Sequence, residues 1–256
     1  MQEPAHEHFE KDRRYHELIA QEYDNVVVSP RKITNDMLFK QFSRFVKPGH
    51  RMLDIACGTG HMTMRFANFF SEVTAIDHSK AMLTQARYKA ASKNFKHINF
   101  IERDVLAYLA DETEDRFDFI TCVGFLHHLP AGQIPNVITN IFKLMRQSGI
   151  FLLSEPIKIQ QEATPSLIQE WNRNSLAAKT RYSAQAEEPD EEPLDSAFLI
   201  ECVSNVGSLL KIQRNFEIFP HHSPPSYWDK LTIKLMNKIY GRKGNVMTIA
   251  SRKIQG

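Results

Sequence analysis

One run, Arg51-Met52-Leu53-Asp54-Ile55-Ala56-Cys57-Gly58-Thr59-Gly60-His61-Met62-Thr63, limits what this chain can fold into more than any other. Its apolar half reads as a short strand, its glycines as a turn, and its last residues as the start of a helix. Gly58 and Gly60 carry no Cβ, so the main chain there can take positive φ. A ligand can then lie against it, with the N–H groups of the next helix pointing toward it. That arrangement suits a nucleotide-like ligand. Asp54, at the carboxyl end of the strand, adds a carboxylate beside the turn, which favours a ligand bearing an ammonium group and disfavours a pyrophosphate.

Around this turn, helical and strand patterns alternate. An amphipathic helix is predicted from His8 to Asn25, on the spacing of Phe9, Tyr15 or His16, Ile19 and Tyr23. A polar break at Ser29-Pro30-Arg31-Lys32 precedes a second helix, Asn35 to Phe45, and Lys47-Pro48-Gly49 turns the chain into strand 1. A helix from His61 leads to a strand over Glu72 to Asp77. Ser79 caps a helix that buries Met82, Leu83, Ala86 and Ala90. Strands follow at His97 to Ile101, Phe117 to Cys122 and Gly149 to Ser154, with a helix of clear 3.6-residue period from Gln133 to Gln147 before the last of them. Such alternation predicts parallel βαβ units in a doubly wound α/β sheet. The strand ends then carry Asp54, Asp77, the approach to His127 and His128, and Glu155, along the edge where open α/β sheets bind ligands.

Four segments in this order resemble the motifs of class I S-adenosylmethionine-dependent methyltransferases. Leu53 to Gly60 is similar to the first motif, with Ala56 where many members have a glycine. Ala75-Ile76-Asp77-His78-Ser79-Lys80-Ala81-Met82-Leu83 is similar to the second, whose acid grips the ribose hydroxyls; Asp77 stands there. Arg103-Asp104-Val105 resembles the third, near the adenine, and Phe117 to Leu129 the fourth. The resemblance implies S-adenosylmethionine as cofactor and S-adenosylhomocysteine as product. It implies cofactor contacts at Asp54, Ala56, Cys57, Gly58, Gly60, Asp77, His78, Met82, Asp104, Val105 and Val123. It also implies a Rossmann-like, seven-stranded, mostly parallel sheet whose last strand inserts antiparallel beside strand 5.

The whole chain, 1–256, is expected to be a single methyltransferase domain. Residues 1–47 supply helices over the cofactor site, 48–156 the cofactor-binding core, and 157–193 a substrate lid that ends in the acidic run Glu187 to Pro193. Residues 194–256 add a helix, Asp195 to Leu209, and strands at Lys211 to Phe219 and Asn245 to Ser251, with a basic amphipathic insertion at 220–244. Within that insertion Ser226 to Tyr240 reads as a helix with Trp228, Leu231, Leu235 and Ile239 on one face and lysines on another. This pattern fits either packing on the domain or peripheral membrane contact through 226–240.

A sulfonium donor arrives activated, so the protein mainly holds the acceptor in line with the methyl group. A hydroxyl or carbon acid would still need a base near neutrality, which makes His127 or His128 the candidate, with Glu155 opposite and Tyr23 facing the reacting groups. A neutral amine would need none. No metal-ligand cluster stands out, and no metal is expected. The residues after strand 4, Cys122-Val123-Gly124-Phe125, lack the tetrad of amino-methylating nucleobase enzymes, and the formal net charge of +2 implies no nucleic-acid partner. The expected acceptor is a small or lipid-like molecule, with oxygen ahead of carbon or nitrogen. Three cysteines without C-x-x-C spacing fit reduced thiols in a cytoplasmic enzyme. Two rivals remain: an NAD(P)-dependent oxidoreductase, weakened because Thr63 replaces the third glycine of G-x-G-x-x-G, and a non-catalytic cofactor-binding subunit of another methyltransferase.

Overall fold

Five parallel strands form the cofactor half of the sheet: β1 (Gly49–Ile55), β2 (Phe70–Asp77), β3 (Ile98–Glu102), β4 (Phe117–Val123) and β5 (Met145–Pro156). β6 (Gly207–Asn215) and β7 (Val246–Lys253) complete it in the order β3-β2-β1-β4-β5-β7-β6, with β7 antiparallel to both neighbours, as expected. The computed structural model describes residues 3–112, 114–159, 164–175, 192–221 and 223–254.

The helices are α1 (Glu3–Ile19), α2 (Ser29–Phe42), α3 (His61–Phe66), α4 (Lys80–Ser92), α5 (Val105–Asp111), α6 (Ile134–Leu144), α7 (Ser166–Arg173), α8 (Ser196–Ser204) and α9 (Tyr227–Tyr240). They cover both faces of the sheet, so the apolar side chains of its central strands are buried on both sides. Leu53 and Ile55 pack with α5, α6 and α8, while Met52 packs with Phe42, Phe66, Phe70 and Phe119 on the other side. The α6 stripe Ile134, Val137, Ile138, Ile141 and Phe142 is buried, each side chain stabilising the fold by roughly 1.5–3 kcal/mol through removal from water.

Several boundaries differ from the sequence pattern for identifiable reasons. Pro30 does not break the chain; it sits in the first turn of α2, where its missing N–H costs nothing. α1 stops at Ile19, so Tyr23 lies in the connection rather than on the helix. Met145 leaves α6 to pair with Phe117 across β4 and β5, although its apolar side chain fits the helical period. α8 ends at Ser204 and β6 starts at Gly207, four residues before the expected strand, because Gly207 and Ser208 already pair with Lys253 and Arg252. Asp118 is structural: it accepts the Arg51 N–H at 2.8 Å and meets Arg146 at 3.3 Å. All three cysteines are buried and unbridged, and burial pushes the Cys57 and Cys122 thiols well above their ordinary range.

Of segment 157–193, residues 160–163 and 176–191, with Arg181, Tyr182 and most of the acidic run, lie outside the described residues. α7 packs against the stretch after β6: Trp171 stacks on His221 at 3.9 Å and its indole N–H donates to the Phe219 carbonyl at 2.8 Å. No helix among the described residues is long and apolar enough to cross a membrane.

Candidate active site

Strand order reverses between β1 and β4, and a cavity of about 610 Å³ opens at the carboxyl ends of these strands. It is lined by Tyr23, Asp54, Ala56, Cys57, Gly58, Asp77, His78, Met82, Asp104, Val105, Val123, His127, His128 and Glu155, fourteen of the fifteen residues singled out from sequence. Gly60 is not among the lining residues. A Cβ there would meet the Ala86 Cβ at 3.1 Å, so this glycine, with φ of 77°, lets α4 pack closely. A Cβ at Gly58 would meet nothing within 4 Å, and the turn stays open there. Ala56 holds φ of 51°, a left-handed conformation that glycine adopts more readily.

The two acids of the turn are held differently. Asp54 is 2% exposed. Thr121, its register partner on β4, donates to Oδ1 at 2.7 Å, and Thr63 donates to Oδ2. Burial pushes the Asp54 carboxyl up to about 6; the two threonine hydroxyls offset part of this, and the charge of Asp77 adds to it. Among the described residues no cationic side chain pairs with Asp54. Asp77 accepts the Gly58 N–H at 2.7 Å and the Ser79 N–H at 2.9 Å, so one carboxylate fixes both the glycine turn and the entry to α4. Asp104 caps α5 through the Ala107 N–H at 2.8 Å.

At the other end of the cavity Glu155 is fully buried. Its Oε1 accepts the Phe125 and Leu126 N–H groups at 3.0 and 2.9 Å, and its Oε2 lies 2.7 Å from His127 Nδ1. A carboxylate at Nδ1 selects the tautomer with the proton on that nitrogen and leaves Nε2 as the acceptor. His128 turns the other way, its Nδ1 3.1 Å from Asp12 on α1.

Asp12 is the centre of a group that sequence reasoning did not single out. It meets His16 of the same helix at 3.2 Å and His78 at 3.5 Å, and the contacts to His128 and His78 tie α1 over the cavity mouth. Burial alone would raise Asp12, but the hydrogen bonds from His128 and His16 win and hold it well below the usual carboxylate range. Burial alone would lower His16, and the Asp12 carboxylate reverses this to a net rise. Asp12, His16 and His78 also place three potential metal-ligand atoms within 4.8 Å of one another. The i,i+4 spacing of Asp12 and His16 was the available signal. Glu17, one turn farther along α1, accepts the Ala81 N–H at the start of α4, and Asp24 joins Thr59 of the glycine turn at 2.6 Å. The remaining wall includes His61, lowered to about 4 by burial and the neighbouring Arg65, and Arg31, whose Nε donates to Glu217 at 2.6 Å.

A methyltransferase-domain model matches residues 46–213, about two thirds of the chain. The chain belongs to this methyltransferase family. An uncharacterized methyltransferase of Bacillus subtilis is 26% identical to it over 138 residues, 54% of this chain and 53% of the relative. A ubiquinone biosynthesis O-methyltransferase of Alkalilimnicola ehrlichii is 40% identical over 83 residues, 32% of each chain. The chain thus spans about half or less of these curated relatives' length. The solved N-methyltransferase NodS of Bradyrhizobium japonicum WM9, in complex with S-adenosylhomocysteine, shares the fold, with a TM-score of 0.56 and 15% identity over 91% of both chains. The methyltransferase domain is therefore of the class I, S-adenosylmethionine-dependent kind, which replaces the dinucleotide-dependent oxidoreductase alternative.

Proposed function

We propose that this methyltransferase moves the S-methyl group of S-adenosylmethionine to an oxygen of a small or lipid-like acceptor, with His127 as general base and Glu155 as the residue that positions it. The observation that carries this reading is the His127–Glu155 pair on the wall of the same cavity as Asp54 and Asp77. The cavity fits the cofactor. Asp54 is a buried carboxylate with no cation beside it among the described residues, as a site for an ammonium group would be, and Gly58 leaves room above the turn. Asp54 would hold the ammonium and Asp77 the ribose hydroxyls through its remaining lone pairs. When bound, the cofactor supplies a methyl carbon activated by positive sulfur. The chain's own part is to orient the acceptor and take its proton. Glu155, locked by two backbone N–H groups, fixes the His127 ring, and an acceptor hydroxyl gives its proton to Nε2, which later releases it to water.

Similarity to a ubiquinone biosynthesis O-methyltransferase supports oxygen as the accepting atom. Segment 157–193 serves as the lid in this scheme, and its Pro193 lines the cavity. The test pairs calorimetry with S-adenosylhomocysteine and a turnover screen of hydroxylated metabolites with isotopically labelled donor. Asp77→Ala weakens S-adenosylhomocysteine binding by about tenfold or more, while His127→Ala keeps binding and loses roughly 10²–10⁴ in turnover. Unchanged affinity in Asp77→Ala, full turnover in His127→Ala, or no labelled product from the wild type would refute the scheme.

A further inference from the structure

The helix α9 presents its apolar stripe to solvent. Among the described residues ten large apolar side chains are exposed, and five of them, Tyr227, Trp228, Leu231, Leu235 and Ile239, lie on this helix at 44–71% exposure. At about 100° per residue, Trp228, Leu231, Leu235 and Ile239 fall within about 80° of one another. The opposite face holds α9 to the domain. Ile233 and Met236 pack with Ile33 of α2 and with Ile168, Phe216 and Ile218, and Asn237 accepts the Phe216 N–H at 2.8 Å. The stripe is thus surplus to the packing that anchors the helix.

Beside the stripe runs a row of exposed cations, Lys230, Lys234 and Lys238, continued by Arg242 and Lys243. The only acid between His221 and Gly244 is Asp229, and its buried carboxylate closes the capping box with Ser226. An aromatic pair at the helix start, Tyr227 and Trp228, is amphipathic in the way that favours the boundary between headgroups and acyl chains.

We propose that α9 lies in the plane of an anionic lipid bilayer and docks the protein there, with the Trp228–Leu231–Leu235–Ile239 stripe in the interface and the lysines on the headgroups. This goes beyond the methyl-transfer scheme and does not depend on it. Charge complementarity decides the occupant: a second copy pairing through the same stripe would bring the two cationic rows together, whereas acidic headgroups neutralise them. Docking has a geometric consequence for the cavity. α2 turns Ile33 toward α9 and contributes Arg31 and Asn35 to the cavity lining, so the bilayer-facing helix rests directly on a wall of the site.

The experiment is co-sedimentation of the full chain with vesicles of phosphatidylcholine alone or containing about one-third phosphatidylglycerol. Wild type binds the anionic vesicles and is released as salt rises. Each lysine contributes about fivefold, so the Lys230→Gln/Lys234→Gln/Lys238→Gln variant binds roughly a hundredfold more weakly. Trp228→Ala binds about tenfold more weakly through lost apolar burial. Both changes are on the surface, and unchanged melting temperature and S-adenosylhomocysteine affinity verify the fold. Equal binding by these variants overturns the proposal. So does equal binding of wild type to neutral and anionic vesicles, or a concentration-dependent dimer in gel filtration that Trp228→Ala dissolves.

Discussion

Asp54→Asn should make the unliganded protein more stable and the cofactor site worse. Asp54 is 2% exposed, and burial moves its carboxyl from 3.8 to about 6. A rise of about two units corresponds to a cost of roughly 3 kcal/mol for keeping the group ionised. The folded state binds this proton more readily than the unfolded chain, so the cost is fully present above about pH 6 and fades as the pH falls toward the unfolded value near 4. Asparagine removes the charge but weakens the hydrogen bonds from Thr63 and Thr121, which returns roughly 1–2 kcal/mol. The net gain at pH 8 is about 1–2 kcal/mol, and at roughly 2–4 °C per kcal/mol the melting temperature rises by about 2–8 °C. Wild-type affinity for S-adenosylhomocysteine falls toward tenfold per unit below about pH 6, because Asp54 must lose its proton to meet an ammonium group, whereas the variant binds weakly with no such slope. Thermal melts without ligand from pH 4.5 to 8, beside calorimetry over the same range, measure both effects. A variant no more stable than wild type at pH 8, or a stability difference that does not change with pH, refutes the reasoning; so does unaltered affinity.

Two further outcomes are expected. Ala56→Gly relieves the left-handed strain at φ of 51° and raises stability by about 1 kcal/mol, read as a higher denaturation midpoint. Asp12→Asn frees α1 from His78 and His128 and increases the dissociation rate of S-adenosylhomocysteine in stopped flow by about tenfold. The sign with pH follows from the shifts. Asp12, held low, contributes fully above its unfolded value and loses that contribution as pH falls toward its folded one, and His16, raised, contributes fully below its unfolded value and loses that contribution as pH climbs through its folded one. The Asp12–His16 pair lies within α1, so in thermal melts without ligand its contribution to stability is lost as pH rises through the raised value of His16, and Asp12→Asn shows no such loss. Unchanged dissociation in Asp12→Asn counts against the latch.

The glycine turn, the acids after β1 and β2 and the alternating elements were readable because each is a local pattern. Leu53 and Ile55 need no distant partner to signal a buried strand, and Gly58 none to signal an open turn. What escaped depends on contacts between distant segments. His127 and His128 are adjacent in sequence, and only Glu155 and Asp12, from β5 and α1, divide them into an oriented base candidate and a tether. Thr63 counted in the sequence only as a missing glycine, yet its hydroxyl holds Asp54. In α9 the period announced one apolar face and could not tell that Ile233 and Met236 would take the buried side. Met145 and Pro30 show the limit at boundaries, where a residue compatible with two conformations is settled by strand pairing or by the first-turn position.

β7 sits between β5 and β6, both of which precede it in the chain. Until residues 246–253 arrive, β5 has a neighbour on one side only, and its bare main-chain groups are open to any other extended segment. A protease cut in the 216–245 connection would sever the covalent link that brings the closing strand home. The same opening lets one molecule lend its β7 to another, so exchanged dimers are the misfolded product to look for when refolding is slow or concentrated.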